Sequence, residues 1–150
     1  MLTLQTDALQ MVRSPEPRRV ALDLFRRTQT AGRLRRAWLG LRGGCGGLRV
    51  LAAAGRGGQR ALGRQTVAIT QIVGSEGRAG DFDGAFAPLG AHTRDRWVSV
   101  ATARWSGKTL PPVQLIRAAD GYYVRDGHHR ISVARAFGEE FVEAEVVSWE

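Results

Sequence analysis

Residues 113–138 read VQLIRAADGYYVRDGHHRISVARAFG. Two runs with apolar, β-favouring side chains, Val113–Arg117 and Tyr122–Arg125, flank Ala118-Ala119-Asp120-Gly121. The Asp-Gly pair suits a tight turn, so the pattern predicts a β-hairpin. Directly after it the apolar period lengthens: Ile131, Ala134 and Phe137 share one helical face, and Gly138 supplies a stop. The hairpin therefore hands over to a helix at Asp126-Gly127.

Working outward, Phe141–Trp149 carries Phe141, Val142, Ala144, Val146 and Val147 and reads as a last strand. On the other side, Pro111-Pro112 leads into the hairpin. A helix from an N-cap at Thr93 to Trp105 carries Trp97, Val100, Ala101, Arg104 and Trp105 on one stripe, and Gly107 ends it. Thr66–Val73 suits a strand through Val67, Ile69 and Ile72, and Gly74–Gly90 reads as a loop. The order is strand, loop, helix, hairpin, helix, strand. That is an α+β domain, a small mixed sheet with helices, over residues 66–150.

Residues 42–65 are rich in glycine and read as a flexible linker. They are no phosphate loop of the Gly-Lys-Ser/Thr type, because the single lysine is Lys108. Residues 1–41 form a basic helical extension: Pro15 and Pro17 keep the start irregular. From Arg18 apolar residues recur at helical spacing, and Gly32 divides the helix in two. Met1–Gln65 holds 13 Arg against three acids, whereas Thr66–Glu150 is near neutral within a total of +8. Two readings of that basic part stand: a solvated face, or a surface for nucleic acid, anionic lipid or an acidic partner. One cysteine, Cys45, excludes an intrachain disulfide and fits a reducing, cytoplasmic setting. No apolar run approaches the ~20 residues of a membrane span.

The chemistry concentrates at Asp126-Gly127-His128-His129-Arg130. Glycine permits the sharp turn and a close approach by ligand. The first amides of the next helix lack intrahelical partners and favour an anion. Arg130 adds a guanidinium that can grip phosphate, and His128 and His129 add donors that charge near neutral pH. Asp126 either caps the helix or holds Mg²⁺, and one histidine can equally be a packed structural residue. Zinc is not expected, because His92, Cys45 and the scattered carboxylates lack ligand spacing.

The stretches Leu110–Ile116 and Tyr123–Gly138 resemble the ParB/sulfiredoxin superfamily, in which a Gly-x-x-Arg turn at a helix start handles nucleotide phosphates. Gly127 and Arg130 match that motif, and His129 matches the sulfiredoxin histidine. Glu76-Gly77-Arg78 followed by Asp81-Phe82-Asp83 resembles a second loop of the partition proteins, which would make Arg78 a further phosphate contact. His128 stands where sulfiredoxins carry their reactive cysteine, so sulfinic acid repair is not expected here.

The resemblance implies a nucleotide (ATP, ADP or CTP, with Mg²⁺) held by Gly127, Arg130 and Arg78. Asp126, His128, His129 and Glu76 are the candidate catalytic residues for weak NTP hydrolysis or phosphoryl transfer. The alternative is a non-enzymatic, partition-like or nucleic-acid-associated module that grips a phosphate backbone through the arginines of residues 1–65.

Overall fold

A computed structural model describes residues 16–51, 58–78 and 80–149. The chain is α+β. Its helices are α1 (Pro17–Leu41), α2 (Arg94–Trp105) and α3 (His128–Ala136). Its strands are β1 (Arg49–Val50), β2 (Gln59–Ala68), β3 (Ile72–Ser75), β4 (Val113–Ala118), β5 (Gly121–Asp126) and β6 (Phe141–Trp149). They form one mixed sheet in the order β1-β3-β5-β4-β6-β2. β4 and β5 make the expected antiparallel hairpin, while β3 runs parallel to β5 and β4 runs parallel to β6.

Alternation decides which face of the sheet is covered. In β6, Ala144 and Val146 are buried while Glu143 and Glu145 face solvent; in β4, Val113 and Leu115 are buried while Gln114 is exposed. The inward set packs against Phe25 of α1, Trp97, Val98 and Ala101 of α2, and Ile131 and Val133 of α3 in one core. Trp97 ties the three helices together. Its ring meets Phe25 edge-on at 5.5 Å between centroids, and its Nε1–H donates to Ser132 Oγ at 2.8 Å.

Four expectations change. Gly32 does not divide α1: it is buried inside one continuous helix, where an added Cβ would stand 2.7 Å from Ala87 Cβ. Close approach is the reason for glycine at this position. The helix is also no detached extension, since Ala21 and Phe25 are 2% exposed within the common core. Residues 42–65 do more than link. They supply β1 and the first seven residues of β2, which pairs antiparallel with β6 from Gln59↔Trp149 to Ala68↔Phe141. The expected strand Thr66–Val73 is broken by a 3-10 turn at Ile69–Gln71, so that its two halves lie far apart in the sheet. Residues 1–15 lie outside the described residues.

Two arginines of α1 turn inward. Arg33 donates twice to Leu89 O, and Arg35 pairs with the fully buried Asp83 at 2.7 Å. Asp83 Oδ1 in turn accepts the amides of Ala85 and Ala87. Part of the basic character of this helix therefore serves the fold, because a buried carboxylate needs a paired charge and donors.

Candidate anion-binding cleft

The parallel pairing of β3 with β5 sets Ser75 beside Val124, and the Glu76 amide donates to Val124 O at 3.0 Å. The loop after β3 is thereby laid next to the turn after β5. That turn is Gly127, with φ +104°, immediately before α3. A Cβ at this glycine would come within 2.6 Å of Val113 Cγ1. No side chain caps α3, and the amides of His128, His129 and Arg130 meet no acceptor among the described residues. Asp126 is thus not the helix cap; its Oδ2 accepts from Arg130 at 2.7 Å.

Around this helix end lies a cleft of about 400 Å³. Asp126, Gly127, His128, His129, Arg130 and Arg78 all line it. Glu76 does not line it; its carboxylate faces Arg125 at 3.0 Å. The cleft also takes Arg125 from β5 and Arg96 from α2, which sequence reasoning missed. Arg96 sits between Asp95 and Trp97 with nothing to separate it from an ordinary solvated helix residue. It makes no ion pair or hydrogen bond among the described residues. Four guanidiniums and an uncapped helix N-terminus therefore surround one carboxylate, Asp126.

Arg130 is more constrained than its motif suggests. Its Nη1 donates to the carbonyls of Pro111 and Pro112, both at 2.7 Å, and its Nη2 donates to Asp126. Three of its five N–H donors are committed to the protein. The residue pins the segment entering β4 to the start of α3 and leaves two donors over. Arg78 is freer, exposed and 3.8 Å from Asp81.

The histidines correct the expectation that they charge near neutral pH. Ser75 Oγ accepts the amides of Gly77 and Arg78 at 3.1 and 3.0 Å. Its single hydrogen is then available only to His128 Nε2, 2.7 Å away, so His128 is a neutral acceptor with its proton on Nδ1. Burial, and then the Arg78 charge, pushes the His128 pKa down to about 4. His129 falls to about 4 as well, through burial first and then through Arg96 and Arg78. Phe82 closes over both rings, stacked on His128 at 6.0 Å and edge-on to His129 at 5.4 Å. His129 Nε2 is buried without a hydrogen-bond partner among the described residues.

No family model matches the chain, and no curated protein matches it. Among solved structures the chain is similar to sulfiredoxin from Arabidopsis thaliana. The match has 13% identity, covers 55% of this chain and 82% of that chain, and has a TM-score of 0.40. No helix among the described residues is long and apolar enough to cross a membrane.

Proposed function

We propose that the cleft at the start of α3 binds the phosphates of a nucleotide, in the manner of a ParB/sulfiredoxin-type domain. One observation carries the reading: Gly127, His128 and His129 at the uncapped start of α3, where the first amides are unpartnered among the described residues, line the same cleft as Arg78, Arg96, Arg125 and Arg130. Helix N-termini attract anions through those amides and the helix dipole, and guanidiniums match phosphate oxygens in pairs. In this reading the α3 amides, Arg78 and Arg96 touch the phosphates. Arg130 mainly positions the helix end. The Gly127 and Arg130 positions of the sequence motif support the same assignment.

Mg²⁺ fits this arrangement through Asp126, whose Oδ1 accepts no hydrogen bond among the described residues. One carboxylate oxygen is enough for a cation that keeps several waters and is otherwise held by phosphates. It would offset phosphate charge when bound. The side chains favour binding over catalysis. Neutral His128 is engaged by Ser75, His129 Nε2 is buried, and Glu76 is tied to Arg125. None of these three stands ready to take a proton.

The test is thermal stabilisation of the full chain by ATP, ADP, CTP and inorganic pyrophosphate, with and without Mg²⁺. A rise in melting temperature that Arg96→Ala and Arg78→Ala reduce supports the reading. Absence of any shift, or a shift indifferent to both substitutions, overturns it. Pyrophosphate acting as well as the nucleotides would reduce the ligand class to a polyphosphate.

A further inference from the structure

We propose that the outward face of α1 docks on an anionic lipid surface, independently of the cleft at α3. The helix is held to the body through Ala21, Phe25 and Gly32, all buried. Leu34, Trp38 and Leu41 follow at spacings of four and three. At about 100° per residue they form one stripe on the side opposite that buried face. They are 65%, 52% and 88% exposed. Large apolar side chains in an unbroken stripe mark a contact surface, unlike single exposed leucines.

The surroundings of the stripe say what covers it. Pro17–Leu41 carries seven arginines and one acid, Asp23. With Arg33 and Arg35 turned inward, Arg27 lies on the side of the stripe two turns towards the N-terminus, while Arg36 falls on the opposite side, packed beside Gly46. Arg42, just past the helix, holds its guanidinium 3.8 Å over the Trp38 ring, so cation and indole are presented together. The stripe spans two turns, roughly 10 Å of helix. A stable protein interface takes about 20–30 residues a side, and a net charge of +8 opposes a second copy. A bilayer needs no matching groove. Leucine and tryptophan enter the headgroup boundary while flanking arginines meet lipid phosphates and carboxylates. The contact is peripheral and takes acidic headgroups over neutral ones.

The experiment is sedimentation of the full chain with vesicles of phosphatidylcholine alone and with vesicles containing about 30 mol% phosphatidylserine. The acidic vesicles are expected to capture the protein roughly tenfold better than the neutral ones. The combined variant Leu34→Ser, Trp38→Ser and Leu41→Ser loses that capture with its melting temperature retained, and Leu41→Ser alone, at the most exposed position, loses part of it. Three results would overturn the proposal. The first is failure of the unaltered chain to bind acidic vesicles. The second is equal capture of the folded triple variant, which would mean adsorption by diffuse charge. The third is a dimer that the triple substitution dissolves, which would give the stripe to a second copy.

Discussion

Ser75 Oγ and His128 Nε2 lie 2.7 Å apart although 53 residues separate them in the chain. The same oxygen receives the amides of Gly77 and Arg78, so one buried hydroxyl joins the loop that carries Arg78 to the first turn of α3. Ser75→Ala strands the buried His128 Nε2 and leaves two half-buried amides without their acceptor. A loss of about 1–3 kcal/mol is expected in denaturant unfolding. Phosphate affinity should fall with it, because Arg78 rides on the released loop. Arg96→Ala should lower affinity at unchanged stability, which separates a contact residue from a positioning one.

Acid should unfold this protein through its histidines. Both His128 and His129 hold a folded pKa of about 4, against an ordinary value of 6.5. Between those two values the unfolded chain binds more protons than the folded one. Stability is therefore complete above pH 6.5 and falls as pH drops towards 4, by on the order of a few kcal/mol for the pair. Melting temperature against pH measures this. The double variant His128→Gln and His129→Gln should flatten that part of the profile, and an unchanged slope would place the titrating groups elsewhere.

Two glycines with positive φ should respond differently to the same substitution. Gly138, at φ +73° with open space around it, should lose about 1 kcal/mol on change to alanine, from backbone strain alone. Gly127→Ala adds a clash with Val113 and should cost more, roughly 3 kcal/mol. Trimming the neighbour, in Gly127→Ala combined with Val113→Ala, should fail to restore phosphate binding, since the left-handed turn itself is disfavoured. Unfolding and affinity measured on the same samples decide this.

Arg130→Lys keeps the charge and loses the fork. An ammonium cannot bridge the carbonyls of Pro111 and Pro112 and the Asp126 carboxylate as the planar group does. The lysine variant should fall close to Arg130→Ala in stability, about 1–2 kcal/mol below the parent. Near-parent stability for lysine would mean that charge alone matters at this position.

The hairpin, α3 and β6 were legible because their signals are local. Asp120-Gly121 marks a turn, Gly138 a stop, and the alternation in 141–149 needs no knowledge of the rest. β2 was not legible. Its early residues, Gln59 to Gln65, are mostly exposed at a sheet edge, and main-chain pairing with β6 leaves no apolar period behind. Gly32 misled for a related reason: a glycine chosen for close approach looks the same in sequence as one that breaks a helix. At the cleft, the motif marked Gly127 and Arg130, and the separate upstream loop marked Arg78. The neutral state of the histidines depends on burial and on the charges of Arg78 and Arg96, from other parts of the chain. Arg96 reaches the cleft only because α2 packs beside α3.

The pairing of β2 with β6 also bears on how the chain is made. During synthesis β2 leaves the ribosome long before its partner, and for that interval it is a strand with both edges open. Unpaired edges invite aggregation, and charge is a common protection. β2 waits with Arg60, Gly63 and Arg64 along its length, a composition poorly suited to stacking on other nascent chains. The glycine and arginines that hide this strand from a reader of the sequence also hide it from the wrong partners until Phe141–Trp149 arrives.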